Sequence, residues 1–128
     1  MPEPAATFLT EIQRTIAMRY LSVFRSPETG KYPSEHDIAA MGELIEEMTN
    51  AGVLLATEGC QPSAKGFKVR RSGNTITVKD GPFTEAKEVI GGFAIFEVTS
   101  KEEAIEWTKR FLALVGDGES ELRLISEG

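Results

Sequence analysis

Two stretches of this chain are apolar on both faces of an extended backbone, and that limits what it can fold into. In residues 17–25, Tyr20 and Phe24 point one way while Leu21 and Val23 point the other; residues 93–98 read Phe-Ala-Ile-Phe-Glu-Val and are equally two-sided. Such strands need cover above and below.

The segments between them say what the cover is. Ser34, with Asp37 three residues on, predicts a capped helix whose stripe is Ile38, Met41, Leu44, Ile45 and Met48, running to Ala51 before a stop at Gly52. Ser100 with Glu103 opens a second helix, with Ala104, Trp107, Phe111 and Leu114 along its apolar face, widened by Ile105, Leu112 and Val115 and ended by Gly116. Val53–Ala56 reads as a short buried strand and Glu121–Ile125 as an edge-like one. Phe67–Arg71 and Thr75–Lys79 alternate around Ser72-Gly73-Asn74, a hairpin signal; residues 84–88 read as one helical turn. Without the hairpin the order is β-α-β-β-α-β, the split βαβ of a ferredoxin-like α+β fold. Two helices cover one sheet face only. The other face is expected to pack on a second copy, giving a homodimer with two-fold symmetry.

At 128 residues the chain is one domain, read here as 17–128 behind an N-terminal arm, residues 1–16, in which Phe8, Leu9, Ile12 and Ile16 line one face. One cysteine, Cys60, and one histidine, His36, leave no basis for a disulfide framework or a His-rich metal site, and no metal or cofactor is expected. The start, Met1-Pro2-Glu3-Pro4, lacks a signal-peptide layout, and no apolar run approaches the roughly 20 residues of a membrane span. A cytoplasmic protein without membrane contact is the expectation.

Net charge is −6 and uneven: residues 34–51 hold five acids and no Lys or Arg, whereas 52–88 hold six bases against four acids. Lys68 and Arg70 alternate with Phe67 and Val69, as on the solvated face of a strand, and the overall charge repels phosphate backbones, so nucleic acid is not an expected partner.

The stretch Asp80-Gly81-Pro82-Phe83-Thr84-Glu85-Ala86-Lys87-Glu88, followed by Gly91-Gly92-Phe93 and preceded by Leu54–Pro62, resembles the signature of the DGPF-domain branch of the YCII-related protein family. The resemblance runs over roughly residues 18–126 and implies a bacterial protein with a ferredoxin-like chain in a dimeric α+β barrel. It implies no single activity. Some relatives in the wider family are enzymes on small organic acids, with a His–Asp pair as proposed machinery. Counting back from Gly52 puts Met41 at that histidine's position, and a thioether carries no proton; His36 is out of register.

Asp80, in a Gly-Pro corner between strands, is the candidate catalytic and ligand-binding carboxylate, although Asp before Gly commonly bonds its own turn. Glu85, Lys87 and Glu88 form a candidate polar cluster beside Asp80, with Glu85 and Lys87 as candidate ligand contacts and Lys87 a local cation for an anionic group; solvated charges are the plainer reading. Tyr20 is a candidate hydrogen-bond donor to a ligand or a core tyrosine. Cys60 lacks a base or cation at motif spacing and reads as structural. Together these point to a small-molecule cleft beside the Asp80–Glu88 loop in a regulatory accessory protein; the alternative is a lyase or isomerase using Asp80 as acid or base.

Overall fold

The structure is a computed structural model that describes residues 17–127; the N-terminal arm lies outside the described residues. Strand β1 (Met18–Ser26) leads to helix α1 (Glu35–Asn50), β2 (Leu54–Gly59), a 3-10 turn (Ser63–Lys65), and the hairpin β3 (Phe67–Ser72) and β4 (Thr75–Asp80). Then come β5 (Val89–Val98), α2 (Lys101–Val115) and β6 (Glu119–Leu124). The main sheet has the order β2-β5-β1-β6 with every pairing antiparallel, and β3-β4 form a separate ribbon. This is the ferredoxin-like α+β arrangement with an inserted hairpin.

Register sorts the two faces. Tyr20 pairs with Phe96 and Leu124, and Ser22 with Ala94 and Leu122, so these residues share the helix-covered face. There the core forms from Tyr20, Leu44, Met48, Val53, Phe96, Val98 and Ala104. Phe24 meets Phe111 of α2 edge-on, with ring centroids 5.2 Å apart. On the opposite face Leu21 pairs with Ile95 and Val23 with Phe93, with no helix over them among the described residues. Charges flank this strip: Arg19 faces Glu97, and β6 presents Glu119, Glu121 and Arg123.

Both helix starts follow their capping signals. Ser34 Oγ accepts from the Asp37 N–H at 3.1 Å, and the Asp37 carboxylate accepts from the Ser34 N–H at 3.3 Å. Ser100 Oγ accepts from the Glu103 N–H, but the Glu103 carboxylate reaches past the cap to the N–H and hydroxyl of Thr99.

Several expectations are corrected. Ile38, in the first turn of α1, is 59% exposed, and the helix buries Leu44 and Met48 further along. β2 is an edge strand reaching Gly59, not a short buried one; Leu55 is exposed and only the preceding Val53 is buried. β5 begins at Val89, so Gly91 and Gly92 lie inside it. There a Cβ on Gly92 would stand 2.6 Å from the Glu58 carbonyl oxygen. Residues 84–88 form no helical turn; the Ala86 N–H donates to the Phe83 carbonyl in a tight turn, held by the Lys79–Glu85 ion pair. Thr108, a polar residue absent from the expected stripe, is buried because its hydroxyl donates to the Ala104 carbonyl at 2.8 Å. In the hairpin both sides lie open, the apolar one included, with Phe67, Val69, Ile76 and Val78 each at least 60% exposed.

Met41 is half-buried and lines a cavity, whereas Met48 is 4% exposed in the core. Met48→Ala should therefore cost about 2–5 kcal/mol in urea unfolding, and Met41→Ala only about 1 kcal/mol, since no closed void is created there. Equal losses would place Met41 in the packed core.

Candidate functional site

The loop after β4 is fixed by an interaction that spans 35 residues of sequence. Glu28, in the β1–α1 connection, accepts from the Ser63 hydroxyl at 2.6 Å and the Ser63 N–H at 2.7 Å. Ser63 Oγ accepts in turn from the Phe83 N–H at 3.0 Å. The Gly81 N–H donates to the Gly66 carbonyl at 2.9 Å, and the Gly81–Pro82 peptide is cis. Gly81 lies against backbone: an added Cβ would overlap the Ser63 carbonyl oxygen and stand 2.7 Å from its carbon. Carboxylate, serine and loop amide thus form one chain of hydrogen bonds, and Ser63 is only 8% exposed at its centre.

The two bonds from Ser63, the hydroxyl's first and the amide's second, hold the Glu28 carboxyl below the usual carboxylate range against a small opposing desolvation. A lowered folded value means that the stabilisation is fully present above the ordinary glutamate range and is lost as pH falls through the folded value. Protection of the Ser63 and Phe83 amides against hydrogen exchange should fall with acidification in the wild type. It should be low and flat with pH in Glu28→Gln, while core amides of β5 stay protected. Unchanged protection in the variant would remove Glu28 from the clamp.

Beside this clamp lies a cavity of about 580 Å³. Phe83, Ala86 and Glu88 of the loop form one wall; Arg25, Lys65 and Lys68 bring three cations to it, and Cys60 and Ile90 complete the side facing the sheet. Lys68 Nζ sits 4.3 Å from the Phe83 ring centroid, which orients both side chains. Arg25 also reaches Glu121 at 3.3 Å, so its charge is shared. Cys60 is exposed and its N–H is bonded to the Gly91 carbonyl.

Of the candidates named from sequence, Glu88 lines this cavity, whereas Asp80, Tyr20, Glu85 and Lys87 do not. Asp80 is exposed at the end of β4, opposite Phe67. Tyr20 is buried in the core under the helices. Glu85 pairs with Lys79, whose hydrogen bond lowers its pKa, and Lys87 is exposed on the loop. The structure brings together neighbours of these residues instead. Arg25, Glu28 and Ser63 carried no motif that sequence could reveal; Lys65 and Lys68 did appear, as members of the basic 52–88 segment.

Two comparisons with known proteins bear on this chain. An uncharacterised protein of Rhizobium meliloti (strain 1021) is 29% identical over 84 residues, covering 63% of this chain and 68% of that one. The model of the YCII-related domain matches residues 18–127, the whole αβ unit with its loop and hairpin, and the chain therefore belongs to the YCII-related domain family.

Proposed function

We propose that this protein is a homodimeric small-molecule binder that takes an anionic ligand in the cavity beside the Asp80–Glu88 loop. The carrying observation is the convergence of Arg25, Lys65 and Lys68 on one concave wall in a chain of net charge −6. Its volume of about 580 Å³ is ordinary for a metabolite-sized ligand. A carboxylate or phosphate there meets local cations, with the Phe83 and Ile90 side chains available to an apolar portion. The Glu28–Ser63–Phe83 chain holds the wall before ligand arrives, so little ordering is lost on binding.

The dimer reading rests on the uncovered sheet face. Leu21, Val23, Phe93 and Ile95 form its apolar strip, and the flanking arginines and glutamates are mixed in sign, which suits a surface that meets its own copy.

Calorimetric titration with succinate and with inorganic phosphate tests the binding reading. Saturable binding by at least one is expected, weakened about tenfold or more in Lys65→Ala and Lys68→Ala, and reduced by added salt. Absence of saturable binding by both, or binding indifferent to the two lysines, would overturn it.

A further inference from the structure

A second cavity, of about 430 Å³, lies between the helices and the covered sheet face, away from the three cations. Its wall is Phe24, Met41, Ile45, Phe96, Phe111 and Val115, and the charged residue in its lining is Glu58, with no Lys or Arg among the described residues. Apolar walls alone would say only that something greasy fits. The hydroxyls say more.

Ser22 lines this cavity at 7% exposure, and its hydroxyl has no hydrogen-bond partner among the described residues. A hydroxyl that lines the cavity without a protein partner is free to bond a group that enters it. Thr108 and Thr57, also in the lining, have already given their protons away, to the Ala104 carbonyl at 2.8 Å and the Phe93 carbonyl at 2.9 Å. Both keep only lone pairs to offer. A group that accepts from Ser22 and donates to a threonine oxygen satisfies this arrangement, and a hydroxyl does both. An anion would meet no cation and one glutamate.

We propose that this cavity is a second ligand site, selective for a neutral, ring-sized apolar molecule bearing one hydroxyl, which the Ser22 hydroxyl recognises. The site is independent of the anion cavity. Met41, the position at which the sequence replaces a histidine, contributes apolar wall to it.

The test uses the full chain with three probes of one shape: 2-naphthol, naphthalene and 2-naphthoate, followed by ligand-observed NMR and probe fluorescence. 2-Naphthol should bind saturably with one site per chain, and 2-naphthoate at least tenfold more weakly. Ser22→Ala should weaken 2-naphthol about tenfold, to the level of naphthalene, and leave naphthalene unchanged. Ile45→Trp fills the cavity and should abolish both; Met41→Trp serves the same purpose if the first variant fails to fold by near-UV circular dichroism. Saturable binding that ignores Ser22, naphthoate bound as tightly as naphthol, or no saturable binding of naphthol each overturns the proposal. The outcome with succinate and phosphate does not bear on it, since those probes report the other cavity.

Discussion

On the homodimer proposed above, Ile95→Glu is expected to give a folded monomer at micromolar concentration in sedimentation equilibrium, where the wild type is expected to be a dimer. Ile95 faces Leu21 across β1–β5 on the side of the sheet that neither α1 nor α2 covers. Glutamate there leaves the core untouched, so far-UV circular dichroism should keep its wild-type shape. In a two-fold interface the substitution enters twice and buries two unpaired carboxylates against apolar strands, each costing several kcal/mol. Dissociation should strengthen by at least about 100-fold, which corresponds to roughly 2.8 kcal/mol. The neighbouring residue gives the contrast. Phe96 is 4% exposed and points to the helices, so Phe96→Ala should cost about 3–5 kcal/mol of folding stability instead. An Ile95→Glu protein that still sediments as a dimer would place the interface on another surface.

The second large effect is expected at Gly81. Gly81→Ala drives a methyl into the Ser63 backbone, which has no rotamer through which to yield. Overpacking of this kind costs about 1–3 kcal/mol, and a backbone neighbour puts it at the upper end. The relief available is displacement of the loop, which breaks the Gly81–Gly66 and Phe83–Ser63 hydrogen bonds together. Hydrogen exchange should quicken across 59–66 and 81–88 while β1 and β5 keep their protection, and succinate or phosphate binding should fall with it. Wild-type exchange in both segments would show that the loop is not held at this point.

The order of elements was legible because its signals are local. Ser34 and Ser100 announce the helices within four residues, and the glycines after them announce the ends. Burial was less legible wherever it depends on what lies alongside. Val-Leu-Leu-Ala has the composition of a central strand yet makes the sheet edge, because β5 occupies one side of it and nothing pairs with the other among the described residues. Thr108 looks polar in a list of residue types, but a helix lets its hydroxyl bond back to the preceding turn and enter the core as an apolar side chain does. The loop Asp80–Glu88 stood out by its motif, and the structure places a cavity against it. Of the charged members that sequence singled out there, Glu88 reaches the wall, beside Phe83 and Ala86, whereas Asp80, Glu85 and Lys87 do not. Glu28 and Ser63 lie far apart in sequence, in two proline-containing connections, and only the folded chain joins them.

The hairpin leaves the main body and returns to it at one place. Phe67 and Asp80 face each other at the first rung of its ladder, and immediately beyond them the Gly81 N–H donates to the Gly66 carbonyl. An excursion whose two ends coincide transmits none of its own length to the rest of the chain. The outer ribbon, residues 69–78, is therefore a detachable appendage in the sense that matters for divergence and for engineering, while Lys68 and Lys79 at its base stay with the loop they contact. The ribbon can be lengthened, trimmed or exchanged for a foreign peptide between Lys68 and Lys79, and the strands on either side need not change their spacing to accommodate it.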